Sequence, residues 1–183
     1  MQNNDSAALD VLLAKQACTE LIHSLARGLD RCDKDLLLSL FHPDATDDHG
    51  GFKGSATDFV DWALGLLKNM DRTQHLIGNV LIAVSGDEAV GEAYFVANHD
   101  MTDADGNPVR MIAAGRYLDR FTRRDGHWKI AHRHAVYDWN ANLDRTENWD
   151  RSPSSPRAFG QRGQGDPLSA HLAALAATAK EIA

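Results

Sequence analysis

Asp30 and His75 are the two residues whose type and position best suit acid–base chemistry. Asp30 ends an apolar helical segment, where the negative end of the helix dipole disfavours a carboxylate. His75 opens the first long strand-like segment, and a neutral histidine accepts a proton that its cation can return near neutral pH. Each also has an ordinary interpretation, Asp30 as a solvated acid at a helix end and His75 as a hydrogen-bonded structural residue. Spacing alone does not decide whether the two side chains meet.

Three helices are predicted in the first 70 residues. Apolar residues recur at three- and four-residue spacing from Leu9 to Leu29, which indicates an amphipathic helix with one buried face. A short helix follows from the N-cap Asp33 to Leu40, and His42-Pro43-Asp44 stops it because the residue before proline avoids helical geometry. Residues 44–56 are polar and contain glycine, so they form either a short strand pair or a loop. A third helix is expected from Thr57 to Met70.

The hydrophobic pattern then changes to a period of two, which is typical of strands. Long strands are predicted, separated by turn sequences rich in Gly, Asp and Asn, over Leu76–Val84, Ala89–Asn98, Arg110–Thr122 and Trp128–Asp138. Strands joined by tight turns form an antiparallel meander, and helices followed by a sheet indicate an α+β fold. A curved antiparallel sheet wrapped around N-terminal helices leaves a concavity, which is the usual place for a ligand site.

The sequence beyond residue 140 differs from the predicted domain of residues 1–140. Arg, Asn, Ser, Gly and Pro dominate from Asn140 to Pro167, which indicates a loop or a flexible cover. Leu168–Ile182 is rich in Ala and Leu and is predicted to be a helix. We interpret residues 141–183 as a lid, a subunit contact or a frayed tail.

Composition argues against several classes of function. A net charge of −7 and a pI near 5.6 argue against a nucleic-acid partner, which requires a basic face. No apolar run reaches the length of a membrane span, so no membrane partner is expected, and the start of the chain lacks the pattern of a signal peptide. The two cysteines, Cys18 and Cys32, form no disulfide framework, so we expect a cytoplasmic protein with both thiols reduced.

Several local sequences in residues 8–140 resemble the SnoaL-like branch of the nuclear transport factor 2-like superfamily. They are Gly28-Leu29-Asp30-Arg31, Leu40-Phe41-His42-Pro43-Asp44-Ala45, Gln74-His75-Leu76-Ile77-Gly78-Asn79, and Gly115-Arg116-Tyr117 leading to Arg124-Asp125-Gly126-His127-Trp128-Lys129-Ile130. The resemblance implies a cone-like α+β barrel.

Within that superfamily the pattern is most similar to the group of scytalone dehydratase, bile acid 7α-dehydratase and hexachlorocyclohexane dehydrochlorinase. This resemblance implies that Asp30 and His75 form a dyad inside the cone. The histidine would remove a proton from carbon, and the aspartate would orient the imidazole ring and stabilise its charged form. Such a β-elimination requires no metal and no organic cofactor.

The chain departs from this group at Leu25, where the relatives often carry a lysine or tyrosine that assists the leaving group. The general acid is therefore open among His23, His49, Tyr94, Tyr117 and Arg133. His23 lies seven residues before Asp30 and shares its helix side. The resemblance places Arg133 where the dehydrochlorinase carries an arginine that polarises the substrate. The alternative is that Arg133 forms an ion pair on the surface. The tyrosines also suit strand packing. Trp139, near the cover, either stacks on a flat substrate or belongs to the core or rim.

His132 and His134 face the same side of one predicted strand, as a pair of metal ligands can. No third ligand motif accompanies them, so no metal is expected, and a pocket or an interface is the preferred location.

The predicted function is a cofactor-independent lyase, a dehydratase or related eliminating enzyme, acting on a small hydrophobic cyclic, aromatic or steroid-like molecule. A proton-shuttling isomerase needs the same base. A non-catalytic ligand-binding or assembly subunit, such as the β subunits of ring-hydroxylating dioxygenases, needs no dyad. The exposed sheet face is expected to bury against another copy of the chain, and the resemblance implies a homotrimer, with a dimer as the alternative.

Overall fold

The computed structural model describes the backbone of residues 2–182 and the side chains of residues 5–163 and 165–176. The helices are α1 (Gln2–Arg31), α2 (Lys34–Leu40), α3 (Ala56–Leu67) and α4 (Pro167–Ile182), with a one-turn 3-10 helix at Gly163–Gly165. The strands are β1 (Phe41–Asp48), β2 (Lys53–Ser55), β3 (Arg72–Ser85), β4 (Glu88–Thr102), β5 (Pro108–Arg124) and β6 (His127–Asp144). The predicted α+β class is confirmed.

The three N-terminal helices form where the hydrophobic pattern predicts them. The buried face of α1 contains Cys18, Ile22, Leu25 and Leu29, as its spacing indicates. Asp33 caps α2 by accepting a hydrogen bond from the backbone N–H of Leu36 at 3.1 Å. The helix ends at Leu40, before the proline. Helix α1 begins well before the predicted Leu9, since the polar residues ahead of it include no helix breaker.

The sheet has the strand order β2-β1-β6-β5-β4-β3. Strands β3 to β6 form the predicted antiparallel meander. Strand β1 runs antiparallel to β2 but parallel to β6, so the sheet is mixed and not wholly antiparallel. The prediction missed this pair because it joins segments about 85 residues apart, whose pairing leaves no local pattern.

The long strands curve around the helices, giving a cone whose sheet remains open between β2 and β3. Register shifts lie between Ile77 and Val80, between Ala114 and Gly115, and between Arg120 and Phe121. Such bulges bend a strand and increase its twist. The concave face packs on α1, α2 and α3 to form the core, which includes Phe59, Phe121 and Ile130. No helix in the described part of the chain is long and apolar enough to cross a membrane.

Residues after β6 return across one end of the cone. Strand β6 continues to Asp144, past the predicted domain boundary at residue 140. Arg162 donates hydrogen bonds to the carbonyls of Leu67 (2.7 Å), Lys68 (3.1 Å) and Met70 (2.9 Å) at the end of α3. Asp166 forms an ion pair with Arg31 at 2.9 Å. We call residues 145–166 the C-terminal cover. It leads into α4, the predicted C-terminal helix.

Candidate active site

Asp30 lies in the last turn of α1, and His75 lies near the start of β3. Oδ1 of Asp30 contacts Nδ1 of His75 at 2.7 Å, and Oδ2 accepts a hydrogen bond from the backbone N–H of His75 at 2.9 Å. The side chains are only 11% and 7% exposed, respectively. The carboxylate therefore holds both the imidazole ring and the strand that carries it.

Gly28 allows the end of α1 to take this position. A Cβ atom on Gly28 would lie 2.7 Å from Cδ2 of Leu37, so only glycine lets α2 pack this closely on α1. Asp30 follows one half-turn later, with its side chain directed at β3.

The contact with His75 keeps Asp30 ionised. Burial favours the neutral acid, but hydrogen bonds from the ring and backbone of His75 outweigh burial and lower the pKa of Asp30 below its ordinary value. A charged carboxylate accepts hydrogen bonds and donates none, which assigns the proton of a neutral His75 to Nδ1. Nε2 of His75 then carries a free lone pair and can accept a proton.

His99 is a second histidine beside the pair, and it was not among the site residues predicted from the sequence. Its ring lies edge-on to His75, with 5.5 Å between centroids. Burial, followed by the charge of His75, lowers the pKa of His99 to about 4. His99 is therefore neutral at physiological pH. The alternation of Phe95, Ala97 and His99 along β4 indicates that His99 faces inward. Its position beside His75, however, follows only from the register of β4 with β3.

The Asp30–His75 pair is approached from two sides. A cavity of about 270 Å³ between α1 and β3 is lined by His23, Ala26, Arg27, Asp30, Arg31, His75 and Ile77. A second cavity, of about 980 Å³, lies beneath the C-terminal cover and reaches Asp30, Thr73 and Gln74. His23 thus lies beside the same cavity as Asp30, in line with their shared helix side.

The concave face of the sheet carries an aromatic cluster next to the pair. Phe95 and Tyr117 stack with 4.3 Å between ring centroids, and Tyr137 meets Phe95 edge-on at 6.0 Å. Burial raises the pKa of Tyr117 far above its ordinary value, so the phenol stays neutral. Ala97 and Ala135 pack in the same buried cluster.

Arg133 lies inside this face and not on the surface, which corrects one of its two sequence interpretations. Its guanidinium donates two hydrogen bonds to Asp119, both of 2.7 Å, and both side chains are 0% exposed. Burial opposes the charge on Arg133, but Asp119 beside it raises the pKa of the guanidinium. The guanidinium also lies 4.1 Å from the centre of the Tyr117 ring. Arg133 is therefore a fixed buried cation.

His49 follows β1 and joins the same cluster. Its ring stacks on Phe59 at 4.8 Å and lies 5.9 Å from Tyr117 and 6.2 Å from Tyr137, measured between centroids. Nδ1 of His49 contacts Oδ1 of Asp47 at 3.1 Å. Asp47 could not be identified from the sequence, because residues 44–56 have no hydrophobic alternation that assigns their faces.

Tyr94 and Trp139 lie on the opposite, outer face of the sheet, where they are 45% and 54% exposed. Tyr94 alternates with the inward Phe95, and Trp139 pairs with the outward Ala114. The structure therefore does not bring either residue to the Asp30–His75 pair. As the sequence predicts, His132 and His134 share one face, which is also the outer one, and His132 contacts the Thr46 hydroxyl at 2.8 Å.

Among the residues that the structure describes, no group of three or more His, Cys, Asp or Glu side chains is placed to hold a metal ion. Both cysteines are free, with Cys18 buried in the core and Cys32 half-buried.

Comparison with known proteins identifies relatives of this architecture. The SnoaL-like domain family matches residues 10–134. Among solved structures, a type 2 hexachlorocyclohexane dehydrochlorinase (LinA) is 23% identical, with a TM-score of 0.69 over 79% of this chain and 98% of that chain. A scytalone dehydratase candidate from Novosphingobium aromaticivorans is 22% identical, with a TM-score of 0.63 over 81% of this chain and 97% of that chain.

A variant of Rv3472, a protein of unknown function from Mycobacterium tuberculosis, is 22% identical, with a TM-score of 0.57 over 97% of this chain and 92% of that chain. No curated protein matches the chain. At these identities the structural likeness establishes a shared fold and leaves activity to be argued from the site.

Proposed function

This chain belongs to the SnoaL-like domain family, with the cone-like fold of the nuclear transport factor 2-like superfamily, and from that premise we propose that it is a cofactor-independent lyase. The observation that carries the proposal is the buried contact between Asp30 and His75. A non-catalytic subunit does not require an ionised carboxylate in contact with an imidazole at the edge of a cavity, whereas an acid–base enzyme does.

In the proposed reaction, Nε2 of His75 removes a proton from a carbon of the substrate. The charged Asp30 stabilises the imidazolium that forms, and its contact with Nδ1 fixes the ring orientation. A positioned base of this kind accelerates proton transfer by about 10²–10⁴-fold. The electron pair of the broken C–H bond forms the new double bond as the leaving group departs.

The aromatic cluster on the concave sheet face favours a small, hydrophobic, cyclic or aromatic substrate. Phe95, Tyr117 and Tyr137 make the concave face aromatic and apolar, with small alanines among them, which suits an apolar ring better than a charged ligand. Arg133 and the neutral His99 supply fixed polar groups that can orient a substrate oxygen. His23 lies at the other side of the pair and contributes to binding there.

Two other functions remain compatible with this fold. An isomerase that moves a proton next to a carbonyl would use the same His75 base. A non-catalytic ligand-binding or assembly subunit would use the cavity without turnover, and two structural neighbours are proteins of unknown function.

The test measures elimination from two probes taken from the relatives' names, chloride release from hexachlorocyclohexane and dehydration of scytalone. We expect turnover of at least one probe, and a loss of about 10²–10⁴-fold in His75→Gln and in Asp30→Asn. His127→Gln, at the exposed start of β6, is the matched control and should retain full rate at an unchanged melting temperature. Binding of both probes without turnover would favour the non-catalytic function and overturn the lyase.

We also propose that the protein is a cytoplasmic homo-oligomer, with a trimer favoured over a dimer. Leu76, Leu81 and Val90 are 64%, 73% and 55% exposed on the outer sheet face, where Leu81 and Val90 line one shallow pocket, and exposed apolar surface is typical of an interface. Light scattering at several protein concentrations tests this proposal, and a monomer at all of them would contradict it.

A further inference from the structure

Asp47 and His49 form a second pair of a carboxylate and an imidazole. Oδ1 of Asp47 lies 3.1 Å from Nδ1 of His49, and the two side chains are 0% and 13% exposed. As in the first pair, a carboxylate at Nδ1 leaves Nε2 as the free ring nitrogen. The conformation of His49 is fixed, because its backbone N–H donates to the carbonyl of Phe52 at 2.8 Å and its ring stacks on Phe59.

The charge of Asp47 is available to the His49 ring. Oδ2 of Asp47 is buried and has no hydrogen-bond partner among the residues whose side chains are described. The ionisable groups that face this pair from the packed elements are Tyr117 and Asp119 on β5, and Arg133 and Tyr137 on β6. Asp119 already neutralises Arg133 through two hydrogen bonds, so a cationic His49 would have Asp47 as its own counter-ion.

Both pairs border the same concave surface. His75 pairs in register with Ala97, which belongs to the cluster of Phe95 and Tyr117. The His49 ring lies 5.9 Å from the ring of Tyr117, which stacks on Phe95. The Phe95–Tyr117 cluster therefore links the two pairs, and a small molecule bound along this face could reach both His75 and His49.

We propose that His49, oriented by Asp47, is the general acid that protonates the leaving group, an inference that rests on the proposed lyase function. His75 takes the proton from carbon, and the C–H electron pair becomes the double bond. The C–O bond breaks with its electron pair on oxygen, and the imidazolium of His49 gives that oxygen a proton, so water departs. His75 ends as the cation and His49 as the neutral ring, and exchange with solvent restores both.

The other candidates are less suited to this step. His23 lines the cavity beside Asp30 and His75, but no carboxylate contact among the described residues orients its ring. Leu25 has no proton to give, and Tyr94 lies on the outer face of the sheet. Arg133 remains charged, since a guanidinium is not deprotonated in proteins. The phenol of Tyr117 is held neutral by burial, which makes it a hydrogen-bond donor and a very weak acid.

The first test compares leaving groups. A hydroxyl needs a proton to depart, whereas chloride leaves as a stable anion. We expect His49→Gln to lower the dehydration of scytalone by about 10²-fold or more, and to lower chloride release from hexachlorocyclohexane by less than about tenfold. Asp47→Asn should change both rates in the same direction as His49→Gln but less strongly, and His127→Gln should change neither. Equal losses on the two substrates, or no loss on scytalone, would overturn the assignment.

The second test does not depend on turnover, so that a failure of the lyase proposal is distinguishable from a failure of this one. 4-Nitrophenol carries one ionisable oxygen on a flat ring, and its binding is followed by its absorbance. We expect binding by the wild-type protein and by His75→Gln, and binding about tenfold weaker or more in His49→Gln, because a charge-assisted hydrogen bond to the oxygen is lost. His49→Asn is the substitute if the first variant does not fold. Absence of binding, or equal affinity in wild type and variant, would overturn the assignment.

Discussion

Replacing Asp119 with alanine removes the carboxylate that neutralises Arg133 in the core. Both side chains are fully buried and share two hydrogen bonds of 2.7 Å. Removing one partner of a buried ion pair leaves an uncompensated charge and costs about 3–5 kcal/mol of unfolding free energy. Asp47 pairs in register with Arg133 and can neutralise part of that charge. We therefore expect a loss near the lower end, about 3 kcal/mol.

The assay is urea unfolding at pH 7, followed by tryptophan fluorescence, of four proteins: wild type, Asp119→Ala, Arg133→Met and the double variant. The double variant should recover at least about 2 kcal/mol relative to the sum of the two single losses, because no buried charge is left unpaired. A loss below about 1 kcal/mol in Asp119→Ala, or additive losses in the cycle, would refute the claim that the pair is a buried, mutually dependent unit. Asp119→Asn, which keeps one acceptor oxygen, replaces the alanine variant if that variant does not fold.

Three further outcomes follow from particular contacts. Because the pKa of His99 is lowered to about 4, the unfolded chain binds its proton first, so stability falls as pH decreases from about 6.5 to 4. His99→Gln should make the urea midpoint less sensitive to pH in that window, and an equal pH dependence would contradict this. Gly115→Ala would place a Cβ atom 2.0 Å from a carbonyl oxygen of β6 and should cost about 3 kcal/mol or more of stability. Gly65→Ala, with open space around it in α3, should instead stabilise by about 0.5–1 kcal/mol, and thermal melts that rank the two alike would refute the packing argument. Arg162→Gln removes the hydrogen bonds to the end of α3 and should speed proteolysis within the C-terminal cover by severalfold, whereas an unchanged cleavage rate would show that the cover is held by other contacts.

Local patterns in the sequence were sufficient for the helices and for the strands of the meander. The apolar spacing along α1 and the proline after α2 act within a few residues, so they can be read without knowledge of the fold. The proximity of Asp30 and His75 could not be obtained in this way, because their contact depends on how α1 packs against β3. It was expected from the resemblance alone.

Strand faces were harder to predict, and Trp139 shows why. Counting by twos along β6 from the inward Arg133 would place Trp139 inside with Tyr137. The register shift opposite Ala114 and Gly115 inserts one extra residue and moves Trp139 to the outer face. Tyr94 was ambiguous for a different reason, since β4 carries apolar residues on both faces and alternation gives no preferred side.

The two oxygens of Asp30 have a mechanical consequence. One holds the imidazole and the other holds the backbone of the same residue, so the end of α1 and the start of β3 behave as a single rigid block. Widening the gap between them to admit a molecule would break both hydrogen bonds and leave a buried charge without partners. The α1–β3 cavity therefore keeps its present width, and the larger cavity beneath the C-terminal cover is the approach whose shape can vary without disturbing this pair. Changes in that segment can thus alter which molecules enter while leaving the proton-transfer geometry untouched.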